Sequence, residues 1–420
     1  MLDIAFIREN PEIVKKAASD KRMPVDVDRL LALDAELREG GRKAEALRAE
    51  RNKLSKEIPS LSEDARNPLV ERVRQIKEEL AAFDASSDGT QAEFDDLMLR
   101  VPSVPAPEVP IGAGEEDNVE IRKVGTAREF PFAPRDHVEL CELHDLLDTQ
   151  RGAKVSGSRF YFLKNEAVLL EMAISRFVMD TLRVRGFTPM TVPQLVRESA
   201  MRGTGYFPIG YDQAYKLPED DLFLVGTSEV SMVSYHQDEV LSYDALPLRY
   251  AGYSSCYRRE AGTYGKDTRG LYRVHQFQKV EQVVLCEADP AKAEALHYEI
   301  LGNAEAVMQA LELPYRVCLA CTGEIGIGQI RKHEIETWMP SRNAYSETHS
   351  CSTMGDFQAR RGNIRYRAES GEVKHVFTLN NTAIASPRVL IPLLETFQNE
   401  DGSVTIPKAL RPYTGFDKIG

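Results

Sequence analysis

Ser254-Ser255-Cys256-Tyr257-Arg258-Arg259-Glu260 is followed, after the polar, glycine-containing stretch 261–270, by Leu271-Tyr272-Arg273-Val274-His275-Gln276-Phe277-Gln278-Lys279-Val280-Glu281. The pattern predicts a strand, a loop holding Lys266 and Arg269, and a return strand. Strict alternation puts Arg258 and Glu260 on one face of the first strand. Arg273, His275, Phe277, Lys279 and Glu281 share a parity on the second. Such a face suits a nucleotide lying on a sheet, because arginine can clamp a phosphate and phenylalanine can stack on a purine. A surface hairpin with cross-strand Arg/Glu pairs is the other reading of the same residues.

Outward from this hairpin the chain is mixed. Glu166 to Arg185 carries Leu170, Ile174, Phe177 or Val178, and Leu182 on one helical face, stops at Gly186 and runs into the strand-like stretch Phe187 to Pro193. Further strands are expected at Leu222–Val225, Leu248–Tyr253, Val280–Leu285, Arg316–Cys321 and His375–Leu379. Hairpin signals outnumber βαβ spacings, so the expected fold is α+β, an antiparallel sheet flanked by helices. Neither G-x-G-x-x-G nor G-x-x-x-x-G-K-[ST] occurs, so the two common nucleotide loops are missing.

The first hundred residues differ. Leu30, Leu33, Leu37, Ala44, Leu47, Leu54 and Ile58 recur at spacings of 3, 4 and 7, and Val70, Val73, Leu80, Phe94, Leu97 and Val101 continue less regularly. Pro59 and Pro68 bracket a polar turn. Two long helices packed antiparallel as a projecting coiled-coil arm are expected. From Gly40 to Lys77 there are ten basic and six acidic residues, a local +4 in a chain of net charge -12. A mixed-charge solvated face explains this, and so does a tip that contacts phosphates. Residues 1–105 are read as the arm, 106–125, rich in Pro and Gly, as a linker, and 126–420 as the second domain.

With 42% hydrophobic and 28% charged residues the composition is that of a globular protein. No apolar run is long enough to span a membrane, and Asp3, Arg8 and Glu9 argue against a leader peptide, so a cytoplasmic location is expected. The six scattered cysteines suit a reducing compartment. Cys318 and Cys321 lie three apart in an apolar strand, on opposite faces, and read as core. The histidines show no ligand spacing, so no structural zinc is expected.

The hairpin, with Arg-x-Glu ending one strand and Arg-x-His-Gln-Phe opening the next, resembles motif 2 of the class II aminoacyl-tRNA synthetases. The helix running to Pro193 resembles their motif 1, which builds a dimer interface. Thr378-Leu379-Asn380-Asn381-Thr382-Ala383-Ile384-Ala385-Ser386-Pro387-Arg388 resembles motif 3. Four features narrow the resemblance to the seryl-tRNA synthetase family. They are the helical arm, Gly226-Thr227-Ser228-Glu229, Glu347-Thr348-His349-Ser350-Cys351-Ser352 with Asp356 to Arg361 after it, and the ending Pro407 to Tyr413. Many members carry Pro-Thr-Ala-Glu in place of Gly226 to Glu229, and Asn-Gly-Ser-Gly before the motif 3 arginine. Here Asn381, Ala383, Ser386 and Pro387 stand instead.

The resemblance implies a homodimer that activates L-serine with ATP and Mg²⁺ and transfers it to tRNA(Ser), with tRNA(Sec) left open. By the same resemblance Arg258, Arg388 and Glu347 are catalytic. Arg258 clamps the α-phosphate and the serine carboxylate, Arg388 holds the far phosphates with help from Arg273, and Phe277 stacks on adenine. Glu260 and the backbone at Val274 meet the base and ribose, while Glu347 and Ser350 bind Mg²⁺. Thr227, Glu229, Glu281, Asn380 and Thr382, with Arg258, form the serine pocket. The arm, with Arg48, Arg51 and Lys53, reaches the long variable arm of the tRNA. Attack by serine's own carboxylate, ionised at pH 7 with a pKa of ~3.5, needs no general base, so His275 is read as structural. Two other readings are a synthetase-like ligase that loads a carrier protein and a non-catalytic synthetase paralogue. The arm speaks against the first, and the presence of Arg258, Glu281, Glu347 and Arg388 against the second.

Overall fold

The computed structural model describes residues 1–262 and 269–420; Lys266 lies outside them. The chain divides into two compact units, Leu2–Pro102 and a second that comprises Ser103–Gly420 with Met1.

In the smaller unit, α1 (Val27–Glu57) and α2 (Glu63–Arg100) pack against each other. Asp26 caps α1 by accepting from the Arg29 backbone N–H. The pairs Arg29–Glu93 and Arg72–Glu50 set an antiparallel register, and Ala44, Ile76 and Leu80 fill the seam with Leu47, Leu54 and Phe83 around them. The turn is shorter than expected: Pro68 lies inside α2, not at the turn's end. One turn from the helix start its missing N–H removes a single backbone bond, so the helix tolerates it.

The larger unit is built on eight strands: β1 (Val119–Val124), β2 (Thr188–Thr191), β3 (Leu248–Tyr257), β4 (Gln276–Cys286), β5 (Tyr315–Leu319), β6 (Arg331–Met339), β7 (Ala344–Gly355) and β8 (Phe377–Ser386). Their spatial order is β1-β5-β6-β7-β8-β4-β3-β2. All pairs are antiparallel except β2 with β3. The stretch 106–125, read as a linker, therefore supplies an edge strand of the sheet. Its prolines and all its glycines but Gly125 precede Val119, and proline at a sheet edge interrupts no ladder. The expected strand His375–Leu379 divides into a short strand Val373–His375 and β8.

The two faces of the sheet are chemically opposite. One carries Val280, Val284, Ile335, Cys351, Leu379 and Ile384 against α3 (Glu166–Val184) and α4 (Pro290–Ala310), which bury Leu170, Ile174, Val178, Ile300, Ala304 and Val307. Pro290 opens α4 behind the Asp289 cap, a pairing that suits a helix start. The other face is polar. The register sets Lys279 and Glu281 of β4 beside Ser254 and Gly252 of β3, with Thr382 of β8 opposite Glu281. Ser350 and Ser352 of β7 face Glu334 and Lys332 of β6. Bulges between Val280 and Glu281 and between Ile335 and Glu336 locally shift the pairing on this face. All six cysteines are buried and free.

Candidate active site

A cleft of about 550 Å³ opens over the polar face. Its wall includes Arg258, Glu260, Arg273, Val274, Phe277, Glu347, Ser350, Thr382 and Arg388, all named from the sequence. They come from distant segments because the antiparallel order lays β4, β8 and β7 side by side.

Arg258 and Glu260 reach the cleft differently than alternation predicts, since β3 ends at Tyr257. Arg258 follows the strand, its Nε donating to Gly226 O at 3.4 Å and its guanidinium lying 5.2 Å from the Phe277 ring centroid. Glu260 has φ +51°, a backbone state uncommon for a non-glycine residue, and its carboxylate takes Arg273 Nη1 at 2.6 Å. Leu271 to Val274 line the cleft consecutively, because the regular strand begins only at Gln276. His275 is turned away: its Nδ1 sits 2.8 Å from Arg258 O, and its ring meets Phe160.

Arg388 stands just beyond β8, its Nη1 donating to Glu347 O at 2.8 Å and lying 3.5 Å from Glu347 Oε2. Its guanidinium also covers Tyr272 at 4.8 Å, with Arg342 at 4.3 Å from the same ring. Burial alone would raise the Glu347 pKa. Arg388, Lys332, Arg258 and Lys279 outweigh it and hold the carboxyl below its ordinary range. His349, buried nearby, is pushed down to about 4, chiefly by burial, so it is neutral at pH 7.

Beneath the open cleft lie Thr227, Glu229, Glu281 and Asn380, all buried. Glu229 Oε1 accepts from Gln358 Nε2 at 2.7 Å and Asn380 Nδ2 at 2.9 Å, and its Oε2 from the Tyr206 hydroxyl at 3.0 Å. Burial raises the Glu229 pKa, and Gln358, Lys279, Tyr206 and Arg258 partly oppose it. Glu281 pairs with Lys279, whose Nζ donates to Thr227 Oγ1 at 3.1 Å. Thr382 Oγ1 donates to Glu281 Oε2 at 3.5 Å. Sequence reasoning assigns no role to Lys279, Gln358, Tyr206 or Tyr272. Lys279 carries a signal in its parity with Phe277 and Glu281, and Tyr272 and Gln358 lie inside stretches that carry the resemblance; Tyr206 has none.

Gly252 lets this floor assemble. A Cβ there would meet Met232 Sδ at 2.6 Å and Ser228 Oγ at 2.8 Å, and Ser228 Oγ donates to Gly252 O. The helical turn Glu229–Ser234 thus rests directly on β3. Gly252→Ala is expected to cost about 1–3 kcal/mol through overpacking. That cost should appear as a lower unfolding midpoint in calorimetry; an unchanged midpoint would count against this placement.

Residues 214–397 match the family description "tRNA synthetase class II core domain (G, H, P, S and T)". Residues 1–105 match "Seryl-tRNA synthetase N-terminal domain". The chain is 48% identical to a serine--tRNA ligase of Deinococcus radiodurans, over 99% of this chain and 98% of that relative. The chain belongs to the seryl-tRNA synthetase family. Its fold is similar to the crystal structure of seryl-tRNA synthetase from Pyrococcus horikoshii complexed with ATP, with TM-score 0.93 and 39% identity over 100% of this chain and 99% of that one. It is also similar to the cytoplasmic serine-tRNA ligase of Naegleria fowleri in complex with AMP, with TM-score 0.88 and 28% identity over 100% and 98% of the two chains. The seryl-tRNA synthetase fold accounts for the class II sheet and the helical pair together, and so bears out both expectations drawn from the motifs.

Proposed function

We propose that this chain is an ATP-dependent serine–tRNA ligase that forms seryl-adenylate in the cleft over the polar sheet face and then transfers serine to tRNA(Ser). The observation that carries the reading is the stacking of an arginine-lined cleft, Arg258, Arg273 and Arg388, above a buried floor of Glu281, Thr382 and Thr227. The upper layer suits phosphates and the lower layer suits a small molecule with an ammonium and a hydroxyl. Serine's ionised carboxylate attacks the α-phosphorus of ATP, the bond to the departing pyrophosphate breaks, and no proton need move. Catalysis then rests on positioning and on neutralising charge.

Arg258, between the Gly226 loop and Phe277, is placed to hold the carboxylate and the α-phosphate together. Arg388 takes the outer phosphates with Arg273, Phe277 stacks on the adenine, and Glu260 with Val274 borders the nucleoside. Thr227, Glu229, Glu281, Asn380 and Thr382 form the serine subsite, Glu229 from beneath. Glu347 and Ser350 offer an ionised carboxylate and a hydroxyl, an oxygen pair that fits Mg²⁺, an ion that takes few protein ligands beside phosphates and water. When bound, Mg²⁺ neutralises phosphate charge. Among the described residues no helix is long and apolar enough to cross a membrane; we place the enzyme in the cytoplasm.

A homodimer through the motif 1 region is supported by the edge position of β2 and by the exposed Leu169 and Met172 on α3. The arm is assigned to the long variable arm of the tRNA. Arg48 and Lys53 are exposed on α1, and Arg51 is half-buried. Replacing Arg48, Arg51 and Lys53 together by Ala is expected to weaken tRNA charging at least tenfold. It should also flatten the salt dependence, by about 0.7–0.9 in log–log slope for each phosphate left without its cation. Serine-dependent exchange of labelled pyrophosphate into ATP should be unchanged; an equal fall in exchange would make the arm's role structural. The reading itself is tested by that exchange with the unaltered protein and Mg²⁺. Label is expected in ATP only when serine is present, and none with serine would overturn it.

A further inference from the structure

Two carboxylates, Glu229 and Glu281, lie on the floor of the site, and their surroundings differ. Glu229 is engaged by Gln358, Asn380 and Tyr206, donors from three separate segments. Glu281 takes the Thr382 hydroxyl and the Lys279 ammonium. Glu281 has 2% of its side chain exposed and does not reach the cleft wall, whereas Lys279, 7% exposed, does. A substrate ammonium seeking Glu281 therefore meets Lys279 first.

Resting on the serine-subsite reading above, we propose that Lys279 is a positioning residue for the amino-acid substrate, an internal ammonium that keeps Glu281 charged and aligned until the substrate's own ammonium arrives. It bridges Glu281 and Thr227, two groups assigned to serine, so it holds both in place at once. An arriving ammonium takes over Glu281, and Lys279 keeps Thr227.

The surroundings explain why such a placeholder is needed. Burial, with Glu229 adding to it, raises the Glu281 pKa, and Lys279 and Arg258 oppose the rise and limit it to about 7. The other titratable groups that feel its charge are Cys256 from β3 and Tyr206 beside Glu229 on the same side and Cys351 of β7 on the opposite face, none a cation. Arg258 is directed at Gly226 O and Phe277. Without Lys279 the carboxyl would hold its proton through neutral pH and lose its grip on an ammonium, recovering only as the pH rises past the higher pKa.

The test is the pH dependence of serine KM in pyrophosphate exchange by Lys279→Met and Lys279→Arg. For Lys279→Met, serine KM is expected to rise at least tenfold at pH 7 and to fall by at least tenfold between pH 7 and pH 9, several times more than in the unaltered protein. The KM for ATP should stay within threefold, and Lys279→Arg should restore the ordinary profile. A serine KM that is unchanged, that rises equally at every pH, or that rises in step with the KM for ATP would overturn the proposal. If Lys279→Met does not fold, Lys279→Gln carries the same expectation. Serine-dependent exchange by the unaltered protein separates the two readings: its failure defeats the serine assignment, while its success with a flat variant profile defeats only the role of Lys279.

Discussion

Arg258→Ala is expected to lower kcat/KM for serine-dependent pyrophosphate exchange by about 10²–10³-fold or more, equivalent to about 3–4 kcal/mol of transition-state stabilisation. In the proposed reading Arg258 lies between the nucleotide and the serine; it is held by Gly226 O and the Phe277 ring. Its charge is needed most as carboxylate and α-phosphate approach, so kcat should fall as well as binding. Lysine should not rescue, because an ammonium cannot make a planar, two-point contact with both groups. Thermal stability should change little, since the hydrogen bond from Arg258 to the Gly226 backbone is long and exposed. An Arg258→Ala enzyme within tenfold of normal kcat/KM would remove it from the catalytic group.

Glu281→Gln should do two kinds of damage. Lys279, with 7% of its side chain exposed, would keep its ammonium without the carboxylate that balances it. Breaking a buried pair in this way costs about 3–5 kcal/mol, which should appear as a lower unfolding midpoint. Serine would also lose the acceptor for its ammonium, so serine kcat/KM should fall by more than about 10²-fold while ATP binding persists. Calorimetry and exchange kinetics on the same preparation separate the two effects. If the variant unfolds at the usual temperature and still prefers serine, Glu281 has been misassigned.

The sequence is most legible where regular spacing and the site's chemistry coincide. Leu170, Ile174, Val178 and Leu182 mark α3 because they are a helix face buried under a sheet. Phe277 and Glu281 stand out because one strand carries both, and Arg258 because it follows directly on the strand paired with it. The pair β6 and β7 is not predicted: Lys332, Glu334 and Glu336 interrupt β6, and polar residues dominate β7, so both read as exposed chain. Those residues are nonetheless buried, because Lys332 pairs with Glu334 and Arg316 with Glu336 across the polar face. β1 is hidden by its Pro- and Gly-rich approach. The support around Glu229 is only partly legible. Asn380 is named with it from the resemblance, but Gln358 and Tyr206 lie far from both in sequence and meet them only around the Glu229 carboxylate. Lys279 is visible by parity, but parity says which face a residue occupies and nothing of the partner it meets there.

The central claim is that the buried floor reads an ammonium and a hydroxyl while the arginines above it handle phosphate. Pyrophosphate exchange measured separately with serine, threonine, alanine, cysteine and glycine at saturating ATP and Mg²⁺ tests it most directly. Alanine would leave Glu281 and Thr382 without the hydroxyl, and leaving buried polar groups unpaired is the strongest form of rejection a pocket has. Serine is therefore predicted to exceed alanine and glycine in kcat/KM by about 10³-fold or more. Exchange with alanine or glycine at a rate comparable to that with serine would contradict the account, leaving the phosphate-handling arginines in place but the floor assigned to the wrong substrate.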